Sequence, residues 1–167
     1  MKIRKIKKAV FKANALVIVD AGNTTQWVGT AAALYSLDGL PQMNESQICR
    51  LLDINTDKAA TLDSISRYSE YGIGAYDADD NSPTVKDMDD EFTINDSTFA
   101  VVTDENGRTM FFDPDLIAPV QDADLFKLTP DDKLLAFEGL FLVAIICPVK
   151  PGKNTENRLR EILYAIE

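Results

Sequence analysis

Histidine is absent from this chain of 167 residues. The commonest metal ligand and the usual side-chain base near neutral pH are absent with it. Ser-His-Asp and Cys-His mechanisms are therefore excluded within one chain. Cysteine is scarce as well. Cys49 and Cys147 stand far apart, each in an apolar segment, with no CxxC pair and no zinc-type cluster. Two buried free thiols in a reducing compartment are expected, with a disulfide between them as the alternative. Long apolar runs are missing too. Residues 140–147 form the longest, far short of the roughly 20 residues that cross a bilayer as a helix. No repeat period is present. The opening MKIRKIKKAVFKANALVIVDAG mimics a signal peptide, but its apolar run is short, its charges reach Lys12, and Asp20 ends it. It reads as mature protein, and a soluble cytoplasmic protein is expected.

What is present is charge, unevenly placed. Residues 77–138 carry seventeen Asp or Glu against four Lys or Arg, a net of −13. The first twelve residues carry six Lys or Arg and no acid. The whole chain has a net charge of −10, which opposes non-specific binding to nucleic acid or anionic lipid. It favours a basic protein partner or a cation. Hydrophobic residues at 46% and a length of 167 suit one domain with a real core. The expected organisation is a basic segment over 1–12, then a single α+β domain over 13–167 with an acidic loop at 77–91.

Residues 15–20, ALVIVD, predict a buried strand from length and β-branched content. Residues 26–37 fit a strand paired back onto it, or a helix with Trp27, Ala31, Leu34 and Tyr35 on one face; the strand is preferred. Asn44 and Gln47 mark a capping box, followed by Ile48, Leu51 and Leu52 on the apolar face of a helix ending near Asp53. Residues 57–66 predict a second short helix. Strands are expected at 99–102, 109–112, 125–128, 134–137 and centrally at 140–147, with a hairpin turn at 104–107. Asp113-Pro114 starts a turn or a single helical turn through Ile117. Leu159, Ile162, Leu163 and Ile166 form the stripe of a final helix. The fold class is α+β: a mostly antiparallel sheet of about five to seven strands packed against two or three helices.

The most chemical-looking string runs from Leu16 through Asp20, Gly22, Asn23 and Thr24 to Gly29. It resembles the first phosphate-binding motif of the actin-like and sugar-kinase-like ATPases, in particular the DxGNTxxxxG opening of type III pantothenate kinases. The resemblance implies that Asp20 helps hold a metal ion and that Gly22, Asn23 and Thr24 line nucleotide phosphates. The match covers about fourteen residues, and no second strand-Asp-Gly-Thr motif follows it. A strand end and β-turn favour the same residue types for backbone reasons alone.

Asp77-Ala78-Asp79-Asp80-Asn81 begins like a calcium loop, but Ser82 and Met88 stand where glycine and the bidentate glutamate belong, which rejects an EF-hand. No cofactor is expected; a looser divalent-cation site from Asp77, Asp79, Asp87, Asp89, Asp90 and Glu91 is the alternative to solvated loop charge. Asp113/Asp115 and Asp131/Asp132 are paired acids of the kind used in hydrolysis, or simply turn and helix-start acids. Tyr68, Tyr71 and Tyr76 surround Gly72 and Gly74, a pattern that suits an aromatic ligand cup.

The expected function is a non-enzymatic acidic binding or accessory protein. It acts through protein–protein contacts on a basic partner via Asp77, Asp79, Asp80, Asp87, Asp89, Asp90 and Glu91, as an inhibitor or polyanion mimic. One alternative is a small-ligand or nucleotide-binding protein using the Asp20–Thr24 turn and the Tyr68–Tyr76 segment. Another is a structural subunit of an assembly, with self-association through the basic N-terminal segment.

Overall fold

The computed structural model describes residues 1–21, 25–69 and 81–166. It is an α+β fold with two sheets. Helix α1 (Ile3–Ala13) is followed by β1 (Ala15–Ala21), β2 (Thr25–Thr30) and β3 (Ala33–Ser36), then α2 (Glu45–Leu51), α3 (Thr56–Ala59) and β4 (Ser64–Tyr68). The second half holds β5 (Val85–Asp87), β6 (Glu91–Ile94), β7 (Ser97–Asp104), β8 (Thr109–Phe112), α4 (Pro114–Ile117), β9 (Leu125–Leu128), β10 (Leu134–Glu138), β11 (Phe141–Ile146) and α5 (Lys153–Ile166).

The larger sheet has the order β4-β1-β2-β3-β11-β10-β9. All its pairings are antiparallel except β1 with β4. In the smaller sheet, β7 pairs with β5, β6 and β8. Strand β1 reads as an unbroken apolar run because both faces of the large sheet are covered. Leu16 and Ile18 join Ile6 and Val10 of α1, Ile48 of α2, and Val102 and Phe112 of the small sheet in the main core. Val17 and Val19 point the other way, to Trp27, Leu34, Phe137 and Ile145. The outer face of the small sheet is covered by α5, whose Leu159 is fully buried against Phe99, Val101 and Phe111.

The ambiguous stretch 26–37 is two strands, β2 and β3, joined by a tight turn. Tyr35 is fully buried there, and its hydroxyl donates to the Leu116 carbonyl at 2.6 Å. The capping box of α2 is complete: Gln47 N donates to Asn44 Oδ1, and Asn44 N donates to Gln47 Oε1, both at 2.9 Å. Both thiols are free, Cys49 buried and Cys147 only half-buried.

Two expectations are corrected. The helix expected over 57–66 is the single turn α3; its last residues belong instead to β4, where Ile65 pairs in register with Leu16. The serines that weaken a helix there sit on a sheet edge. The stretch 77–91, expected as a loop, contains β5 and the first residue of β6. Strand β6 itself returns into β7 through Asn95 and Asp96, both at positive φ (50° and 62°), the two-residue turn that matches strand twist.

Candidate functional site

The six basic residues of the N-terminal segment lie on or beside α1, an amphipathic helix whose Ile6, Ala9 and Val10 are buried. Four of these six cations meet acids of the same chain. Lys2 pairs with Asp122 at 2.6 Å, Lys7 with Asp53 at 2.8 Å and Lys8 with Asp115 at 2.7 Å. Lys12 bridges Asp113 at 2.5 Å and Asp115 at 3.2 Å. Lys5 donates to Gln121 Oε1 at 3.0 Å, and the Met1 amino group pairs with Glu138. Asp113 also caps α4 by accepting from Asp115 N. Burial raises the Asp115 pKa, but hydrogen bonds from Lys8 and Lys12 outweigh it and leave the carboxyl below its ordinary range. The Asp113/Asp115 pair is thus a helix start bound to lysines.

Asp20 is the penultimate residue of β1 and reaches Arg67 of β4. Arg67 holds it in a fork, with Nε donating to Oδ2 at 2.6 Å and Nη2 to Oδ1 at 3.1 Å. Gln26, buried on β2, donates to Asp20 Oδ1 at 2.8 Å and clamps the Met43 backbone through both of its amide atoms. Neither Gln26 nor Arg67 stands out in the sequence, because both are recruited by strand pairing. Tyr68, 42% exposed, lies opposite Val19 in the β1–β4 register. The two predicted ligand segments therefore follow the adjacent ends of neighbouring parallel strands. Gly22, Asn23, Thr24, Tyr71, Gly72, Gly74 and Tyr76 lie outside the described residues.

The Arg67 hydrogen bond, helped by Gln26 and opposed by burial, lowers the Asp20 pKa. A depressed folded pKa contributes stability that is complete above the unfolded value of about 3.9 and is lost as pH falls through the folded one. The stability difference between the native protein and Asp20→Asn should be flat from neutral pH down to about pH 5 and shrink below about pH 4. Urea unfolding at stepped pH checks this; a difference that persists unchanged at pH 2 would remove the ion pair as its cause.

The remaining acids of interest behave differently from those beside α1. Asp87 closes β5, Asp89 and Asp90 link the strands, and Glu91 opens β6; all four are exposed. Asp77, Asp79 and Asp80 lie outside the described residues. The backbone is fixed here: Asp89 N donates to Asp87 Oδ1 at 3.1 Å, and Val101 N donates to the Asp90 carbonyl at 2.9 Å. Among the described residues, none of the four carboxylates is in an ion pair. No group of three or more Cys, Asp or Glu is arranged to hold a metal among them either.

The strip separates two hollows. Asp89 and Glu91 border one of about 210 Å³, walled by Met88, Ala100, Pro114 and Ile117. Asp87 and Asp90 border the other, about 270 Å³, together with Lys86, Val101, Thr103, Leu163 and Ile166. A third hollow of about 420 Å³ lies between the β6–β7 turn and the start of α5, with Asp96, Phe99 and Thr155 in its lining. These linings are invisible in sequence because each joins segments far apart in the chain.

No family model, curated protein or solved structure matches this chain. Among the described residues, no helix is long and apolar enough to cross a membrane.

Proposed function

We propose that this is a non-catalytic acidic binding protein that engages a basic protein partner through the strip Asp87, Asp89, Asp90 and Glu91. The observation that carries this reading is a contrast between two charged regions. Lys7, Lys8 and Lys12 of α1 are ion-paired within the chain and Lys5 is hydrogen-bonded to Gln121, whereas the strip carries four exposed carboxylates without an ion pair among the described residues. Asp87 and Glu91 stand on paired strands and the Asp89 and Asp90 backbone between them is hydrogen-bonded, so less order is lost on binding than from a mobile acidic loop. The same contrast weighs against self-association through the basic segment. Unpaired surface charge acts mainly on encounter rate and specificity, so the interaction is salt-sensitive.

The test uses fluorescent octa-arginine as probe, with anisotropy read at low salt. D87N/D89N/D90N/E91Q should weaken binding about tenfold. The control D38N/D57N/D63N/E161Q removes the same charge from exposed sites elsewhere and should change it less than about twofold. Equal losses in both variants would mean that only net charge is being read, and the strip would lose its assignment.

A further inference from the structure

The apolar stripe of α5 runs past what the small sheet can cover. Leu159 is fully buried, Ile162 and Leu163 are half-buried, and Ile166 is 58% exposed. At that end the helix, β5 and β7 leave the hollow of about 270 Å³. Its apolar lining is Val101, Leu163 and Ile166, with the Thr103 side chain beside them, and its charged rim is Asp87 and Asp90 against the single Lys86.

We infer that this hollow docks a partner-protein segment carrying an arginine beside an apolar side chain. The inference rests on the acidic-surface reading and names the partner chemistry for one side of the strip. The apolar side chain covers Leu163 and Ile166, above the buried Val101. The arginine stem lies over the same surface, and its guanidinium reaches Asp87 and Asp90. Arginine suits the rim better than lysine, because its planar fork serves two carboxylates and its weakly hydrated head tolerates an apolar neighbour. The excess of carboxylate over ammonium at the rim selects a cation, and the exposed isoleucine selects an apolar companion. Neither feature alone asks for both.

The test compares a fluorescent amphipathic peptide of alternating arginine and leucine pairs with octa-arginine, on the full chain. Ile166→Ser leaves the fold intact, since Ile166 is mostly exposed. It should weaken the arginine–leucine peptide about tenfold and leave octa-arginine unchanged. D87N/D90N should weaken both peptides. Amide signals of Val101 and Thr103 should shift in the NMR spectrum on adding the arginine–leucine peptide. If D87N/D90N weakens both peptides but Ile166→Ser weakens neither, charge alone captures them; the docking inference falls and the acidic-surface reading stands. If neither variant changes either peptide, both fall.

Discussion

Gly29→Ala should destabilise the protein by about 3 kcal/mol, a larger effect than any surface substitution proposed above. Gly29 lies on β2 between Val17 of β1 and Leu34 of β3. A Cβ added there would lie 2.1 Å from the Ala33 carbonyl oxygen, 3.1 Å from its carbon and 3.2 Å from Leu34 Cα. All three are backbone atoms, so no flexible side chain can swing aside. Strand β3 would have to move, and it is pinned on its other edge to β11 through Leu34, opposite Ile145, and Ala33, opposite Ile146. Urea unfolding should record a lower midpoint with an unchanged slope. Gly152→Ala, where an added Cβ meets open space, is the control and should stay within about 0.5 kcal/mol. A Gly29→Ala protein as stable as that control would refute the close approach.

The second large effect is expected at Asp104, whose side chain is 1% exposed at the β7–β8 turn. It accepts from Asn106 N and Arg108 N, both at 2.9 Å, and from Arg108 Nε at 3.2 Å. Arg108 Nη2 then reaches the Leu128 and Thr129 carbonyls, both at 2.8 Å, at the end of β9. The pair therefore ties the small sheet to the large one. Asp104→Ala should cost about 3 kcal/mol, because it leaves two turn amides without their acceptor and takes from Arg108 its nearer carboxylate, leaving Asp132 at 3.5 Å. Arg108→Lys should not substitute, since one ammonium cannot serve a carboxylate and two carbonyls in that geometry. A double-mutant cycle with Arg108→Ala should give a coupling of at least about 1 kcal/mol; additive losses would show that the two side chains act separately.

The sequence made some elements legible and hid others for identifiable reasons. Strand β11 and helix α5 announce themselves, one by an apolar run and the other by a stripe, because their neighbours lie on predictable faces. Asn44 and Gln47 report the start of α2 because capping is local chemistry. Strand β4 has one aliphatic residue, Ile65, and exists because β1 offers it a parallel edge; no local pattern encodes that. Strands β5 and β6 are hidden by Lys86, Asp87 and Glu91, which favour solvent whatever the backbone does. At the candidate site, the acids were readable as charge, but Val101, Leu163 and Ile166 come from other parts of the chain. Asp20 was readable as a strand-end acid, while its Arg67 partner, 47 residues on, was not.

The neighbours of β3 also set a timetable. Ala33 pairs with Ile146, so the edge of β3 must wait until β11 has been synthesised, 110 residues after the strand ends at Ser36. At roughly 5–20 residues per second, that interval is about 6–22 s on the ribosome. During it β1, β2 and β3 can form a meander, but its apolar faces and the β3 edge stay open, the kind of edge that recruits other strands. Early in that interval Lys8 and Lys12 of α1 are without Asp113 and Asp115, which are made before β11. The early nascent chain is therefore a cationic, edge-exposed species, and the acidic character of the finished protein arrives with residues 77–138, before β11 closes the β3 edge.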